Sequence, residues 1–269
     1  RTTPDLKSTQ VELYDGLVAG RTSGWPSLAF DLKSVGGKFS RFMPAGFYYK
    51  TFKWPTKLWP YYEDIIRRAA GYGKSPVEAD TETYDHQHHH VDLLVVGGGA
   101  TGLLAALLAG RSGLKVLLVD DQSELGGYLL SMPNVLIGGV SANTWSANII
   151  KELQSLPNVS ILSRTTAFAL HDMNMIQAVE LLQDHLAHSE RKYTQRRERL
   201  HRIRASKVVL ATGAFERPLV FGNNDLPGIM TASALTTYLN RYGVACGKNA
   251  VIMTSNDLAY QGAVDLASA

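Results

Sequence analysis

Apolar residues form two short runs on either side of a longer segment that contains several glycines. The run Val91–Val96 is short and mostly apolar, which predicts a strand buried in a parallel sheet. Thr101–Ser112 is rich in Leu and Ala and is followed by Gly113, which predicts a helix and its end. Lys115–Val119 has the same character as the first run and predicts a second strand. The order strand, helix, strand predicts a βαβ unit.

The pattern beyond residue 121 predicts that this sheet continues and that a second unit begins. Asn249–Thr254 followed by Ala259–Ala267 predicts the strand and helix that would start a second βαβ unit. The turn between them, residues 254–257, lacks glycine, so we do not expect it to bind a dinucleotide in the usual way. The other predicted elements are a helix at Asn148–Leu156, a strand at Val159–Leu162, a hairpin of Ala167–Leu170 and Ile176–Leu182 around Asp172–Asn174, a sheet-closing strand at Lys207–Gly213 and a helix at Thr231–Arg241.

Together these elements predict an α/β fold: a Rossmann-like dinucleotide-binding domain of the two-dinucleotide flavoprotein (disulfide-reductase-like) type. The expected domains are an aromatic, irregular N-terminal arm and linker at 1–90, the dinucleotide-binding domain at 91–230, and the start of a truncated second Rossmann-like domain at 231–269. A single strand and helix cannot complete a sheet, so we expect these residues to be a piece of a longer polypeptide.

Three glycines at the first strand–helix turn form the pattern Gly97-x-Gly99-x-x-Gly102. Gly97 permits the tight turn, Gly99 lets a pyrophosphate approach the backbone, and Gly102 lets the helix pack on the sheet. The free N–H groups and the positive dipole end of the helix would face the phosphates. Asp120 stands at the end of the second strand, about 20 residues further on, where a carboxylate accepts hydrogen bonds from the adenosine ribose.

The charge of Asp120 also bears on which dinucleotide binds. A carboxylate at this position repels a 2′-phosphate, which favours NAD or FAD over NADP. Gly126 and Gly127 would let the chain turn beside the cofactor, and Gly213 would pass near it at the end of the sheet-closing strand. The alternative is a glycine-rich turn in an α/β protein that binds no ligand.

The first 90 residues differ in composition from the rest. They contain three of the four Trp residues and a dense aromatic block from Phe39 to Tyr62, interrupted by prolines. The pattern predicts a helix at Tyr61–Gly71 and a linker at Lys74–Asp85. We favour packing of the aromatic block against another subunit over its use as a platform for a flavin or a sugar.

Composition excludes several classes of function. A net charge of +3 over 269 residues is too small to indicate nucleic-acid binding. Cys246 is the only cysteine, so the chain has no internal disulfide and no CxxC site. The polar segment Arg1–Gln10 does not resemble a signal peptide, and glycine, proline and asparagine interrupt the uncharged stretches. We therefore expect a soluble, cytoplasmic protein that does not contact a membrane.

Two charged segments have simple structural interpretations. Histidine occupies four of five positions from His86 to His90, but an extended chain directs alternate side chains apart, so no metal site is expected. The basic run Arg191–Arg204 predicts a solvated loop followed by an outer strand at Arg199–Arg204. Phosphate or partner binding by this run is the alternative.

The chain resembles the α subunits of heterotetrameric sarcosine oxidases from about Thr9 to its end. The aromatic N-terminal block is the most specific part, because no general rule of nucleotide binding demands it. The segments that carry the resemblance are TQVELYDGLVA (9–19), WPSLAFD (25–31), FSRFMPAGFYYKTFKWP (39–55), IRRAAGYG (66–73), VVGGGATG (95–102), ATGAFERPLVFGNNDLPGIMTA (211–232) and SNDLAYQGAVDLA (255–267).

The resemblance implies a function that the pattern alone does not. This family oxidatively demethylates sarcosine to glycine, passes the one-carbon unit to tetrahydrofolate or releases it as formaldehyde, and reduces oxygen to hydrogen peroxide. It implies a bound NAD at the first glycine motif, a covalent FMN at the α/β interface and FAD in the β subunit. The resemblance implies that these residues lack an N-terminal ferredoxin-like domain and a C-terminal folate-binding domain, and the implied partners are the β, γ and δ subunits.

The resemblance also implies which residues contact the dinucleotide. None of them is expected to be catalytic, and the catalytic residues remain unknown. The implied cofactor contacts, together with those expected from the motif, are Gly97, Gly99, Ala100, Thr101, Gly102, Asp120, Asp121, Gln122, Gly127, Tyr128, Ala167 and Gly213.

Three functions remain open from the sequence. The chain could hold a NAD in a sarcosine oxidase α subunit. It could hold a redox-active FAD in a related amine or amino-acid dehydrogenase, as in hydrogen cyanide synthase and opine oxidase subunits. It could also be a scaffold without chemistry of its own, which the nucleotide stabilises by binding only the native state.

Overall fold

The structure, a computed structural model, describes residues 11–20, 25–27, 30–32, 54–70, 72, 79–187, 189–192, 194–224, 226–255 and 257–269. Within them, the helices are α1 (Trp59–Ala69), α2 (Ala100–Arg111), α3 (Ala142–Ser155), α4 (Ala232–Tyr242) and α5 (Leu258–Ser268). The strands are β1 (Thr83–Val96), β2 (Val116–Val119), β3 (Leu136–Ile137), β4 (Val140–Ser141), β5 (Val159–Leu162), β6 (Thr165–His171), β7 (Met175–Leu181) and β8 (Arg196–Leu210). Short 3-10 helices cover Thr56–Leu58, Gly127–Ser131 and Asp172–Asn174.

Six strands form one mixed sheet in the order β5-β2-β1-β8-β7-β6. β5, β2, β1 and β8 run parallel, and β7 and β6 continue from β8 as an antiparallel pair. The predicted βαβ unit, the strand Val159–Leu162 and the hairpin around Asp172–Asn174 are confirmed. The carboxyl ends of β2 and β1 therefore lie side by side, with Val119 paired to Val96, and both predicted ligand-binding turns start there.

One core lies between the sheet and helices α2 and α3. Leu103, Ala106 and Leu107 of α2 are buried against Val95 and Leu118 of the strands. The predicted helix at Asn148–Leu156 begins earlier, at Ala142, because the Ser141 side chain caps it by accepting a hydrogen bond from the Thr144 N–H at 3.3 Å. Burial of these side chains fixes α2 against the sheet and with it the position of its first turn.

The prediction of an outer strand at Arg199–Arg204 is wrong. These residues belong to the 15-residue strand β8, which lies inside the sheet between β1 and β7. β8 alternates between a buried face with His201 and Ile203 and an exposed face with Arg202 and Arg204. Arg202 and Arg204 therefore lie on the exposed face of an inner strand, whereas Arg199 lies on the same face as His201, because alternate side chains point to opposite faces of a sheet.

Pairing with β8 also extends β1. The strand begins at Thr83 and not at Val91, so the histidines, which were expected in an extended lead-in to the first strand, are paired along its length. The sequence did not reveal this extension because a strand of alternating polar residues has no apolar run to mark it.

Ionisable residues on the buried face of this extension are paired with one another. Nδ1 of the fully buried His201 lies 2.8 Å from Nε2 of His89, and its Nε2 lies 2.9 Å from a carboxylate oxygen of Glu180. Arg199 donates two hydrogen bonds to Asp85, at 2.8 and 3.1 Å. Burial, together with the neighbouring His201, lowers the pKa of His89. These contacts give the histidine segment a structural role within the sheet.

The predicted strand at Asn249–Thr254 is wrong, whereas the helices around it are confirmed as α4 and α5. Val251 is 99% exposed and Met253 is 75% exposed, and no strand among the described residues pairs with this segment. A strand needs a neighbouring strand to satisfy its backbone groups, and an apolar run alone does not supply one.

Contacts divide the chain into two compact units, residues 1–82 with 184–195 and residues 83–183 with 196–269. In the first unit the helix predicted at Tyr61–Gly71 is confirmed, beginning two residues earlier at Trp59 with Pro60 in its first turn. Residues 39–53 of the aromatic block and residues 74–78 of the predicted linker lie outside the described residues, and the last three residues of that linker belong to β1. The predicted packing of the block and the domain division at 90/91 and 230/231 stay predictions.

Candidate functional site

The turn after β1 contains glycine where the neighbouring backbone leaves no room for a side chain. The N–H of Gly97 donates to the Val119 carbonyl at 2.8 Å, which joins the turn to β2. Gly97 has a φ of +105°, and a Cβ atom there would collide with the backbone carbonyl of Ala211, just after β8. Glycine is required here both by the left-handed conformation and by the close approach of a third strand end.

Gly102 lies in the first turn of α2 and faces the end of β1. A Cβ atom on Gly102 would overlap the carbonyl oxygen of Gly97. The backbone of the helix therefore rests directly on the backbone of the turn, as the motif predicts. This contact brings the start of α2 to the carboxyl ends of the central strands.

Gly99 differs from the other two glycines of the motif. It is the N-cap residue of α2, its φ of −74° is accessible to any residue, and a Cβ atom there would meet no described atom within 4 Å. No side chain caps the helix, and its first turn has no acidic residue. The first backbone N–H groups of α2 thus lack an intrahelical partner beside an open space, an arrangement that binds anions.

Asp120 follows β2 and lies against this turn. One of its carboxylate oxygens accepts a hydrogen bond from the Gly98 N–H, and the other accepts one from the Gln122 N–H at 2.8 Å. Burial raises the pKa of Asp120 above its ordinary value, the two backbone N–H groups oppose this, and the neighbouring Asp121 adds to the rise. A carboxylate has about four acceptor positions, so two remain for the hydroxyl groups of a ribose.

Gly98 also belongs to the candidate site, although the sequence did not single it out, because it occupies a variable position of the pattern. A Cβ atom on Gly98 would collide with the side chain of Leu125 and lie 3.1 Å from a carboxylate oxygen of Asp120. Its N–H is the donor that orients that carboxylate. The sequence did contain a signal for Gly98. Gly97, Gly98 and Gly99 are consecutive, and the pattern accounts for only the first and the third.

Gly126 and Gly127 turn the chain beside the motif, as predicted. Both have positive φ, +127° and +56°. The Gly126 N–H donates to the Gly98 carbonyl at 2.8 Å, and a Cβ atom on Gly127 would lie 3.0 Å from Cα of Gly99. The chain after Gly126 therefore forms one wall beside Gly99, and the partly exposed Tyr128 continues it.

The remaining predicted contacts lie at varying distances from this centre. The Thr165 N–H donates to the Asp120 carbonyl at 2.7 Å, which brings the start of β6 beside Asp120, with Ala167 two residues further on. Ala100 and Thr101 lie in the first turn of α2, and Gln122 follows Asp120 on the chain.

Asp121 is exposed and accepts a hydrogen bond only from the Gln122 side chain among the bonds observed. Gly213 is exposed and has a φ of +72°. A Cβ atom there would meet no described atom within 4 Å.

A cavity of about 370 Å³ lies between α3, β5 and the loop after Asp120. It is lined by residues such as Glu124, Leu125, Ser146 and Gln154. None of the predicted cofactor contacts lines it. The proposed site is therefore the open turn at Gly99 and not this cavity.

Metal clusters and membrane spans are both missing from the part of the chain that the structure describes. No three His, Cys, Asp or Glu side chains within it converge as metal ligands would. No helix that the structure describes has the length and apolar composition needed to cross a bilayer.

Comparison with known proteins identifies relatives of the whole chain. A family model described as "FAD dependent oxidoreductase" matches residues 92–209. The alpha chain of the sarcosine oxidase of Rhizobium meliloti (strain 1021) is 51% identical to this chain over 270 residues, covering all of this chain and 27% of that protein. An opine oxidase chain of Agrobacterium tumefaciens (strain Ach5) is 31% identical over 186 residues, 66% of this chain and 35% of that protein.

A solved structure supports the same fold. The crystal structure of L-proline dehydrogenase from P. horikoshii matches with a TM-score of 0.50 and 25% identity, over 61% of this chain and 31% of that one. The predicted fold class is confirmed by this match and by the family model. This chain spans about a quarter of the length of its Rhizobium relative.

Proposed function

We propose, from the premise that this chain belongs to the family of sarcosine oxidase α subunits, that it holds a dinucleotide at the Gly97–Gly102 turn within a multi-subunit oxidoreductase. The observation that carries the proposal is the open space beside Gly99. Protein packing requires glycine at positions 97, 98 and 102, but it does not require glycine at 99. A diphosphate bound at the start of α2 would explain the glycine at position 99, because a side chain there would keep the phosphates away from the backbone.

Each part of the site would have a distinct role. The backbone N–H groups of Ala100 and Thr101 would donate to the diphosphate, assisted by the dipole of α2. Asp120 would accept hydrogen bonds from the adenosine ribose, and Ala167 would lie toward the adenine end. Gly127 and Tyr128 would border the diphosphate on the other side. Asp121, Gln122 and Gly213 would complete the contacts at the rim.

NAD is the first candidate for the bound dinucleotide, because the family resemblance implies it. FAD is the second, since the family model that matches residues 92–209 describes FAD-dependent oxidoreductases. The residues fit either molecule, because both contain an adenosine diphosphate. A bound flavin would supply two-electron oxidation of an amine, and a bound NAD that does not turn over would stabilise the fold.

The proposed activity of the whole enzyme rests on the same family resemblance. We propose oxidative demethylation of sarcosine to glycine, with transfer of the one-carbon unit to tetrahydrofolate and reduction of oxygen to hydrogen peroxide. The chemistry would occur on FAD and FMN held with the β subunit, and β, γ and δ subunits would be the partners. The described residues would then bind and position a nucleotide, and would not act on the substrate.

Extraction of the bound cofactor tests this proposal most directly. The full chain is purified, denatured by acid, and the released small molecule is identified by mass spectrometry and absorption spectroscopy. We expect an adenine dinucleotide, with NAD if the first candidate is right and a flavin spectrum if the second is. Absence of any dinucleotide, combined with no binding of added NAD or FAD, would contradict both.

The pH dependence of binding tests the role of Asp120. Only the ionised carboxylate can accept from both backbone N–H groups and the ribose, and burial raises its pKa. Affinity should therefore fall on acidification already above the ordinary aspartate range, by about tenfold per pH unit below that pKa. Isothermal titration of NAD or FAD from neutral to acidic pH measures this.

Asp120→Asn is the matched control for that titration. It should weaken binding at neutral pH, because one of the two backbone N–H groups would face an amide N–H, and it should remove the pH dependence. A wild-type profile that is flat, or an Asn variant that keeps the wild-type profile, would assign the effect to another group.

A further inference from the structure

We propose that the helix pair α4–α5 holds the wall of the dinucleotide site in position, with Asn240 and Asp265 as positioning residues. The wall segment is residues 124–134, which includes the 3-10 helix Gly127–Ser131. The proposal rests on the proposed function, because it assigns a role toward the same ligand. It also gives α4 and α5 a role other than that of a second nucleotide-binding unit.

The helix pair contacts the wall segment at three points along its length. Nη2 of Arg241 lies 3.2 Å from a carboxylate oxygen of Glu124 at the start of the segment. The Asn240 amide donates to the Ser131 carbonyl at 3.0 Å, in the middle. The Asn134 amide donates to Asp265 at 3.3 Å, at the end. Three attachments spaced along one segment restrict both its position and its rotation.

Buried groups make the central attachment rigid. Ser131 is 2% exposed, and its hydroxyl also donates to the Thr237 hydroxyl at 3.3 Å. Asp265 is 8% exposed and accepts hydrogen bonds from three amide side chains, those of Asn134, Asn240 and Gln261. Burial opposes ionisation of Asp265, but the hydrogen bonds from these amides outweigh it and lower its pKa. A buried carboxylate that accepts three hydrogen bonds fixes its partners.

The two helices touch closely enough to act as one support. Gly262 of α5 faces α4, where a Cβ atom would lie 2.8 Å from the hydroxyl oxygen of the buried Thr236. The Asn240 amide donates to both the Ser131 carbonyl and Asp265, at 3.0 and 2.7 Å, so a single side chain joins α4, α5 and the wall segment.

The wall segment also contacts the glycine turn itself. The Gly126 N–H donates to the Gly98 carbonyl, and Gly127 lies against Cα of Gly99. A shift of the wall segment by a few tenths of an ångström would therefore move or crowd the backbone at Gly98 and Gly99. This is the route by which α4 and α5 would affect a ligand that they do not touch.

The test changes the side chain at position 240 and then exchanges the side chains at positions 240 and 265, in the full chain. Asn240→Asp places two carboxylates together and removes the donor to the Ser131 carbonyl. We therefore expect the dissociation constant for NAD or FAD to rise about tenfold. The double variant Asn240→Asp/Asp265→Asn rebuilds an amide–carboxylate bond between the helices with the roles reversed. We expect it to recover most of the melting temperature but not the affinity, because the carboxylate at position 240 cannot donate to Ser131.

Asn158→Asp is the matched control, because the Asn158 amide likewise donates to two acceptors, here the backbone carbonyls of Gly110 and Leu114 at 2.9 and 2.6 Å. These carbonyls lie at the far end of α2 from Gly99. The melting temperature of the Asn158→Asp variant should therefore fall, while its affinity for NAD or FAD, measured well below that temperature, stays unchanged. If Asn240→Asp does not fold, Thr237→Val replaces it as the test variant, because it removes only the acceptor of the Ser131 hydroxyl. We expect Thr237→Val to lower the affinity about threefold.

The outcomes separate this inference from the proposed function. If the wild-type chain binds a dinucleotide and the folded position-240 and position-237 variants bind it equally well, the positioning role is wrong and the proposed function stands. Recovery of affinity together with melting temperature in the double variant would likewise overturn the role of the Ser131 contact. If the wild-type chain binds neither NAD nor FAD, the proposed function fails and this inference fails with it.

Discussion

Gly99→Asp is expected to abolish tight dinucleotide binding and, at the same time, to stabilise the ligand-free protein slightly. The new side chain would enter open space, since no described atom lies within 4 Å of the Cβ position. Aspartate is a favourable N-cap residue, and the cap of α2 has no side-chain hydrogen bond at present. Stability should therefore rise by about 0.5 kcal/mol, whereas most glycine substitutions lower it.

The same carboxylate would occupy the position proposed for the diphosphate. It would satisfy the N–H groups that the phosphates need and repel their charge. We expect affinity for NAD or FAD to fall by about a hundredfold or more, equivalent to about 3 kcal/mol. Titration calorimetry measures the affinity, and thermal unfolding without ligand measures the stability.

Two controls separate the causes of that loss. Gly99→Asn caps the helix and fills the same space without the charge, so the difference between the two variants gives the electrostatic part. Gly222→Asp adds a charge at another glycine with open space around its Cβ position and should leave affinity unchanged. Wild-type affinity in Gly99→Asp would show that no phosphate lies at the start of α2.

Gly102→Ala is expected to destabilise the fold by more than about 3 kcal/mol, although it adds only one methyl group. That methyl group would overlap the carbonyl oxygen of Gly97, and neither backbone can move without separating α2 from β1. Leu103, Ala106 and Leu107 would then lose part of their burial against the sheet. Urea unfolding followed by circular dichroism measures the change in the free energy of unfolding.

Gly110→Ala in the same helix is the matched control. Its methyl group would lie 2.7 Å from a side-chain carbon of Val159 and 2.9 Å from one of Leu156, and side chains can shift more easily than the backbone that Gly102 faces. Overpacking costs about 1–2 kcal/mol, and the higher helix propensity of alanine returns about 1 kcal/mol. Equal losses in the two variants would contradict the role assigned to backbone contact at Gly102.

The parts of the site that the sequence predicted correctly depend on local signals. The strand Val116–Val119, the helix α2 and the turn between β1 and α2 each follow from a few adjacent residues. Gly97 and Gly102 were assigned their structural roles from spacing alone, and the structure agrees because the motif requires those backbone contacts. The turn at Gly126 and Gly127 was predicted for a similar reason.

Errors arose where an element depends on a distant partner. The basic run at Arg199–Arg204 was predicted to be an outer strand, yet β8 is an inner strand because β1 and β7 both pair with it. Asn249–Thr254 has the composition of a strand but does not form one, since no described strand lies beside it. Strand pairing is a property of two segments, and a single segment cannot reveal it.

The sequence by itself determined that this chain has a βαβ unit with a glycine turn and an acidic residue after its second strand, because each signal lies within a few residues of the backbone it shapes. Only the tertiary structure decided that Gly98 orients the carboxylate of Asp120, that Gly99 faces open space, and that α4 and α5 reach the wall segment through Asn240 and Asp265. These contacts join residues far apart in the chain, and their distances depend on how the sheet and helices pack.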